Sequence, residues 1–431
     1  MIKPFLIFVF LLLQCAIGTA QESLFIPKNA TVFIGNTQAV GLFGNLLNSG
    51  NLSIESNGNF HFLGKIFYNA SSATLTDKSL IKNNYSGGNI NFQQPNPLYG
   101  NLGQQIIESK YNDSSSSGPS FSKISINNTL GVIISTDVNV LANVHFNKGH
   151  FYLNKYVAVL GDNANSATVT GFNESRYFVA GKNMNEGMLK LSALSSCCIA
   201  SFPIGSSDTD YNPIQIRNFG VKDNFYLSVF KTPVSGGLSS LPKDSSINII
   251  WKLYTTKNVS HQVEVAAQHV NNQEGFAFAS LRKKSFITIN KGIGWDKTSF
   301  LTIPLIPGNI TSSSYQFTSM VNQRKIDITN QPIYISKKVT NMKEKPFIPN
   351  VFSPNGDGIN DDWQIDFLWN YPECRVEIFN RNGHKIYSSV GYFSPFNGTY
   401  NGQPLPVATY YYIIDLRNGD GLLSGSVTIL R

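Results

Sequence analysis

What most constrains this chain is its punctuation. In the stretch "IGNTQAVGLFGNLLNSGNLSIESNGNFHFLG", Gly-Asn recurs at Gly35–Asn36, Gly44–Asn45, Gly50–Asn51 and Gly58–Asn59. Between the pairs lie runs of about four to six residues in which apolar and polar side chains alternate, the pattern of a half-buried strand. Leu52-Ser53-Ile54 and Phe60-His61-Phe62 are examples. The later stretch "SKISINNTLGVIISTDVNVLANVHFNKGHFYLNKYVAVLG" repeats the style, with Ile124, Ile126, Val132, Ile134, Val138, Val140, Val144 and Phe146 as inward positions. Gly and Asn tolerate the positive φ that tight corners demand. Short strands at near-regular spacing predict a β-helix-like solenoid over residues 21–200, each rung burying its apolar face on the next. An irregular β-sandwich is the competing reading, because the period is not strict.

Helix signals are nearly absent, so the chain reads as all-β. From about Ser201 the strands lengthen, as in "NFYLSVF", "INIIWKLYTT" and "HQVEVAAQHV". This predicts a separate β-sandwich over 201–339, with Trp251 and Trp295 as core aromatics. The polar, basic "SKKVTNMKEKP" ends at Pro346 and supplies a linker at 340–346. Residues 347–431 then form a compact sandwich of immunoglobulin-like size.

The opening "MIKPFLIFVFLLLQCAIGTAQES" has Lys3, an apolar run from Pro4 to Ile17, and small residues before Gln21. It reads as a secretory signal peptide over 1–20, too short for a membrane anchor. After its removal Cys197, Cys198 and Cys374 remain. That is not a disulfide scaffold, and buried free thiols are expected. Charged residues make up only 14% of the chain, so the net +8 is spread thinly. Its densest point, "LRKK" at Leu281–Lys284, reads as a solvated strand end, and no nucleic-acid partner is expected.

Catalytic motifs are lacking. No Gly-x-Ser-x-Gly elbow, His-Glu-x-x-His or phosphate loop occurs. His61, His145 and His150 fall in or beside strands and read as packed or solvated positions. Glu22, Glu55, Asp77, Glu108, Asp113, Asp137, Asp162, Glu174 and Glu186 stand singly. A polysaccharide lyase would need grouped carboxylates and a basic proton abstractor, which only the solenoid's folding could assemble. Asp208 and Asp210 are a close pair explained by Asx-turn chemistry. Tyr68, Tyr85, Tyr99, Tyr111, Tyr152, Tyr156 and Tyr177 are expected in packing, although an Asn/Ser/Thr-lined face could bind glycans. The expectation is a non-enzyme.

Near the C-terminus, "FIPNVFSPNGDGINDDW", "VEIFNRNGHKIY", "NGQPLPVATYYYIIDL" and "SGSVTILR" follow in order. Over residues 347–431 the chain resembles the gliding-motility-associated C-terminal domain, the type B sorting domain of the type IX secretion system. Asn382, Phe396-Asn397 and Val407-Ala408 depart from that family's usual Trp, Trp-Asp and Asp-Gly. The resemblance implies export through the periplasm and outer membrane of a Bacteroidetes-type bacterium, with the type IX machinery as partner. Within the loop, Asn355, Asp357, Asp361 and the Ile359 carbonyl offer oxygens at a spacing that either binds calcium or makes two consecutive turns. The reading as a whole is a secreted or cell-surface passenger with an adhesive or structural role, meeting glycans or other cells. The alternative is a carbohydrate-binding protein or a β-helix polysaccharide-degrading enzyme.

Overall fold

The computed structural model describes residues 23–75, 87–94, 103–181, 187–232, 238, 241–292, 294–296, 303–307, 320–339, 347–365, 367–368, 371, 373–417 and 422–431. The expected signal peptide and the 340–346 linker lie outside these residues. Strands make up most of the rest, and the only α-helix among the described residues is Phe276–Ser280.

The first part is a β-solenoid. Each turn of chain adds one strand to a nine-stranded sheet that starts at Leu24–Ile26 and one to a twelve-stranded sheet that starts at Ala39–Leu42. Pairing in both is parallel through the coils. The in-register positions explain why these residues form these strands. Phe60, Ile90, Ile124 and Val144 stack on one row, Phe62, Phe92, Ile126 and Phe146 on the next, and all are buried. Phe62, Phe67 and Phe92 meet edge-on or tilted at 5.2–5.7 Å, as aromatic quadrupoles prefer.

In the first coils the corners follow a different rule from the one the sequence suggests, whereas Gly131, Gly149, Gly161 and Gly171 in the later coils take the positive φ it predicts. Gly50, Gly58, Gly64 and Gly88 do not adopt positive φ. They are required by close approach: a Cβ at Gly64 would collide with the Gly44 carbonyl, and one at Gly88 with the Ile54 side chain and the Gly58 carbonyl. Buried amides bridge the coils beside them. Asn48 donates to Asn69 Oδ1 (3.1 Å), and Gln105 donates to the Phe62 and Gly64 carbonyls (2.9 and 3.0 Å). The Gln105 bonds satisfy backbone acceptors that a corner removes from both water and ladder.

The boundary expected at residue 200 falls inside the strand Ile199–Phe202. The twelve-stranded sheet runs on without a break: Met188–Leu194 pairs antiparallel with Asp223–Lys231, followed by Ile249–Thr255, Ile333–Val339 and Ser285–Asn290. A five-stranded antiparallel sheet, with His261–Ala267 at its centre, shares the core. One cluster extends from Ile26 to Val339. The sandwich is therefore a continuation of the solenoid in which the strands reverse direction. Trp251 is fully buried in it, as expected, and donates Nε1–H to the Asn212 carbonyl at 2.9 Å. Trp295 is only half-buried, beside Asn290 at the sheet margin. Arg282–Lys284 form a 3-10 turn, not a strand end.

Residues 347–431 have their own core. Their five-stranded sheet runs in the order Val351–Phe352, Leu422–Ile429, Ala408–Asp415, Arg375–Phe379, Lys385–Val390. Tyr410, Tyr412, Ile414, Val427 and Ile429 point into the core. Tyr410 Oη donates to the Pro406 carbonyl at 3.0 Å, four residues upstream, a corner device of immunoglobulin-like sheets. Of the three thiols, Cys374 is buried in this core, as expected, whereas Cys197 and Cys198 are exposed, contrary to the buried state expected of them. Trp363 forms an isolated bridge to Phe396, and Phe367 and Leu368 lie in a 3-10 turn.

Candidate functional site

Alternation leaves the outer face of the twelve-stranded sheet to polar residues. Because Phe60, Ile90, Ile124 and Val144 point inward, their neighbours point outward. One row reads Asn59, Asn89, Lys123, Asn143 and Thr168, and the next reads His61, Asn91, Ser125, His145 and Thr170. The rows are cross-linked. Ser125 donates to Asn89 Oδ1 (3.0 Å), Asn143 Nδ2 donates to Thr168 Oγ1 (2.8 Å), and His145 Nδ1 lies 2.9 Å from Thr170 Oγ1. Asn91 Nδ2 lies 3.1 Å from His61 Nδ1, while Asn91 Oδ1 is buried with no partner. None of these residues is acidic. The face is polar and weakly cationic, with its groups repeating about every 4.8 Å from strand to strand.

Further along that sheet the fold gathers residues that the sequence keeps far apart. Lys190 Nζ lies 2.6 Å from Asp113, and Tyr226 donates to the other Asp113 oxygen at 2.9 Å. Tyr226 stacks on Tyr254 with ring centroids 4.8 Å apart. Burial and the Asp113 charge push the Tyr226 phenol far up. The Asp113 amide approaches Asp137 Oδ2 at 3.5 Å. A carboxylate, a lysine and a tyrosine converge here, but the lysine and carboxylate are locked together with their side chains nearly buried. No sequence motif marks this trio, because Asp113 and Lys190 meet only through rung stacking.

The other face carries an aromatic cluster. Tyr177 and Tyr211 are buried with Tyr152 against them, and His150 meets the Tyr177 ring edge-on at 4.5 Å. Burial pushes the His150 imidazole down and Tyr152 up to about 12. Asp208 is exposed and accepts from Tyr152 at 3.4 Å. Asp210 is buried and paired with Lys231 at 2.6 Å. Asp208 and Asp210 thus have separate partners. Glu22, Asp77, Glu186, Tyr85 and Tyr99 lie outside the described residues. Sequence reasoning also missed a buried relay. Arg282 donates to both Glu274 oxygens (Nε to Oε1 at 2.8 Å and to Oε2 at 3.1 Å, Nη2 to Oε2 at 2.5 Å), Glu274 Oε1 lies 2.9 Å from His269 Nε2, and His269 Nδ1 lies 3.1 Å from Lys337 Nζ. Burial, with the Lys337 charge, pushes His269 down to about 4.

The acidic loop folds on itself. Asp361 Oδ1 accepts from the Gly356 amide (2.7 Å) and Oδ2 from the Gly358 amide (2.8 Å). Asp357 Oδ1 accepts from the Ile359 amide at 2.8 Å, and Asn355 Oδ1 from the Asp357 amide at 3.0 Å. Gly356, Gly358 and Asn360 take positive φ, and the Ile359 side chain is exposed. These are consecutive Asx turns. Among the described residues no group of three or more His, Cys, Asp or Glu side chains converges to hold a metal ion. Asp366 is outside the described residues. The loop ends on Trp363, fully buried, whose Nε1–H reaches the Pro349 carbonyl at 2.6 Å and whose carbonyl accepts from Tyr392 Oη at 2.8 Å.

Residues 347–429 match the family described as CHU_C type IX secretion signal domain. The segment is the sorting domain that its motifs suggest, a β-sandwich domain, and it marks the chain for secretion or the cell surface through the type IX machinery. No curated protein and no solved structure matches the chain.

Proposed function

We propose that this is an adhesive protein of the cell surface or secreted fraction, carried through the periplasm and outer membrane by its C-terminal domain, and that it holds glycans on the outer face of the solenoid. The observation that carries the reading is the pair of outward rows from Asn59 and His61 to Thr168 and Thr170, which contain amide, hydroxyl, imidazole and ammonium groups and no carboxylate. Sugar hydroxyls and carboxylates are met by many such weak donors rather than by one deep pocket. The reading is of a binder and not of an enzyme, since the Lys190 ammonium is already engaged by Asp113 and is poorly suited to abstract a proton. The acidic loop is read as a turn former and not as a calcium site.

The test is retention on a panel of neutral and acidic polysaccharides, with product release assayed in parallel. Retention of acidic polymers, weakened by salt and by Lys123→Glu, is the expected result. Release of shortened products would replace the adhesive reading with the enzymatic one. Retention indifferent to Lys123→Glu and to His61→Ala would remove the face as the contact.

A further inference from the structure

Past the polar rows, the outer face of the twelve-stranded sheet changes character. In Asp223–Lys231, Ile249–Thr255 and Ile333–Val339, the side chains of Phe225, Leu227, Trp251, Leu253, Ile333 and Ile335 belong to the core. Alternation therefore turns Tyr226, Lys252, Tyr254 and Tyr334 outward, and all four are half-buried. Register makes them neighbours. Tyr226 is paired with Tyr254, and Lys252 with Tyr334. Side chains directly opposite each other in such pairs start about 5 Å apart at Cβ.

Two of the rings are held in place. Tyr226 donates to Asp113, Tyr254 Oη donates to Met188 Sδ at 3.5 Å, and the two rings stack 3° from parallel. Among the described residues, Tyr334 has neither a hydrogen bond nor a ring partner. The Lys252 ammonium has no hydrogen bond and no acidic partner among them either, and the group it faces is the Tyr254 ring, 6.0 Å from Nζ to the centroid. Lys190 is different, because Asp113 neutralises it, and the second Asp113 oxygen is taken by Tyr226. Burial that no anion offsets holds Lys252 below the usual lysine range. A cation that has given up part of its water and gained no counter-charge is destabilising until an anion reaches it.

We propose that Lys252, Tyr254 and Tyr334 form a subsite for one acidic sugar residue, whose carboxylate pairs with the Lys252 ammonium while the C–H face of its ring packs on Tyr334. The proposal rests on the glycan reading above and gives a uronic acid unit its place in it. The unpaired ammonium calls for an anion. The aromatic surface beside it calls for a ring with apolar C–H groups, which a bare ion lacks. Register sets the two side by side, and a uronic acid carries its carboxylate on the ring itself. The Tyr226–Tyr254 stack is already fixed, so binding has few side chains left to order. Four ladder steps separate the strand of Lys252 from Val138–Lys148, which carries Asn143 and His145. The two contacts therefore lie about 19 Å apart across the sheet. An acidic polymer reaches both, and a disaccharide reaches one.

Digalacturonate is titrated into the purified chain and followed by calorimetry, with cellobiose as the neutral control. Digalacturonate is expected to bind in a salt-sensitive manner, and cellobiose at least tenfold more weakly. Lys252→Met should abolish the binding, Lys252→Arg should keep it, and Tyr334→Ala should weaken it at least fivefold, all with unchanged circular dichroism. Lys123→Glu, which alters the polar rows, should leave it as it is. Saturation-transfer NMR on the parent chain needs no variant: saturation at the tyrosine resonances should reach the ring protons of the sugar. No binding to the parent, cellobiose bound as well as digalacturonate, binding that survives in Lys252→Met, or no transfer from tyrosine would each overturn the subsite. If it falls while Lys123→Glu still weakens polymer retention, the glycan face stands without it.

Discussion

Asp361 is only half-buried, and its two oxygens accept the Gly356 and Gly358 amides; these bonds hold its carboxyl below the usual carboxylate range. A carboxyl with a depressed folded pKa stabilises the fold above its unfolded value near 3.8, and that contribution is lost as pH falls through the folded value. We expect Asp361→Asn to lower the melting temperature of the C-terminal domain at neutral pH, with the gap to the parent closing on acidification. The turn reading requires the same gap in calcium and in chelator, and a gap that opens only in calcium would restore the cation. The His269 imidazole behaves in the same direction for a different reason, since burial opposes its protonated form. Its folded value of about 4 against 6.5 means that the unfolded chain binds the proton first. Stability is complete above about 6.5 and falls as pH drops towards 4. Thermal melts of the passenger across that window should steepen in their acid dependence, and His269→Gln should flatten it. The loop's turns were legible, because Asn-Gly and Asp-Gly act on their own backbone. The His269 relay was not, because Glu274 and Lys337 reach it only after two sheets have closed over it.

At the scale of strands, the short alternating runs revealed the coils, and the rows of buried Phe, Ile and Val follow from them. The reason for the glycines of the first coils was hidden, because close backbone approach depends on which coil lies beneath a corner and a single rung does not specify that; the positive φ of Gly131, Gly149 and Gly161 was legible. The point where parallel pairing gives way to antiparallel was equally hidden. Met188–Leu194 and Asp223–Lys231 carry the same alternation in either direction, so only the connection between them decides. The lengthening of strands after Ser201 marks that reversal and was read as the start of a second body. The structural reading makes a sharp prediction about Gly64. Its missing side chain lets the Gly44 carbonyl pass, and the φ there is not in the left-handed region. Gly64→Ala should cost about 1–3 kcal/mol, as overpacking does. Gly383→Ala, with open space around it, should cost less, about the strain of φ at 75° alone. Urea titrations of the two variants measure the difference, and equal costs would mean that the corner is loose.

For the whole molecule, the two cores have no residue in common: one is built from Ile26 to Val339, the other from Phe352 to Ile429. The second closes without help from the first. Leu422–Ile429 lies between Val351–Phe352 and Ala408–Asp415, so its final strand is an inner strand of the sheet and not a loose tail. Trp363 fastens the acidic loop to that core through Pro349 and Tyr392. Such a domain should act as an address that does not depend on its passenger. Deleting residues 347–431 is expected to leave the passenger folded, with unchanged circular dichroism and melting, but held in the periplasm. Fusing the same residues and a signal peptide to an unrelated soluble protein is expected to carry it out of a type IX-competent cell. Trp363→Ala in that fusion supplies the internal control. Losing a fully buried tryptophan costs about 3–5 kcal/mol, enough to unfold a domain of this size and, with it, to abolish export. Cell fractionation separates the outcomes. Export of the truncated passenger, or retention of a fusion whose C-terminal domain is demonstrably folded, would move the address to another part of the chain, and with it the explanation of why Asp361 is bound to its own loop.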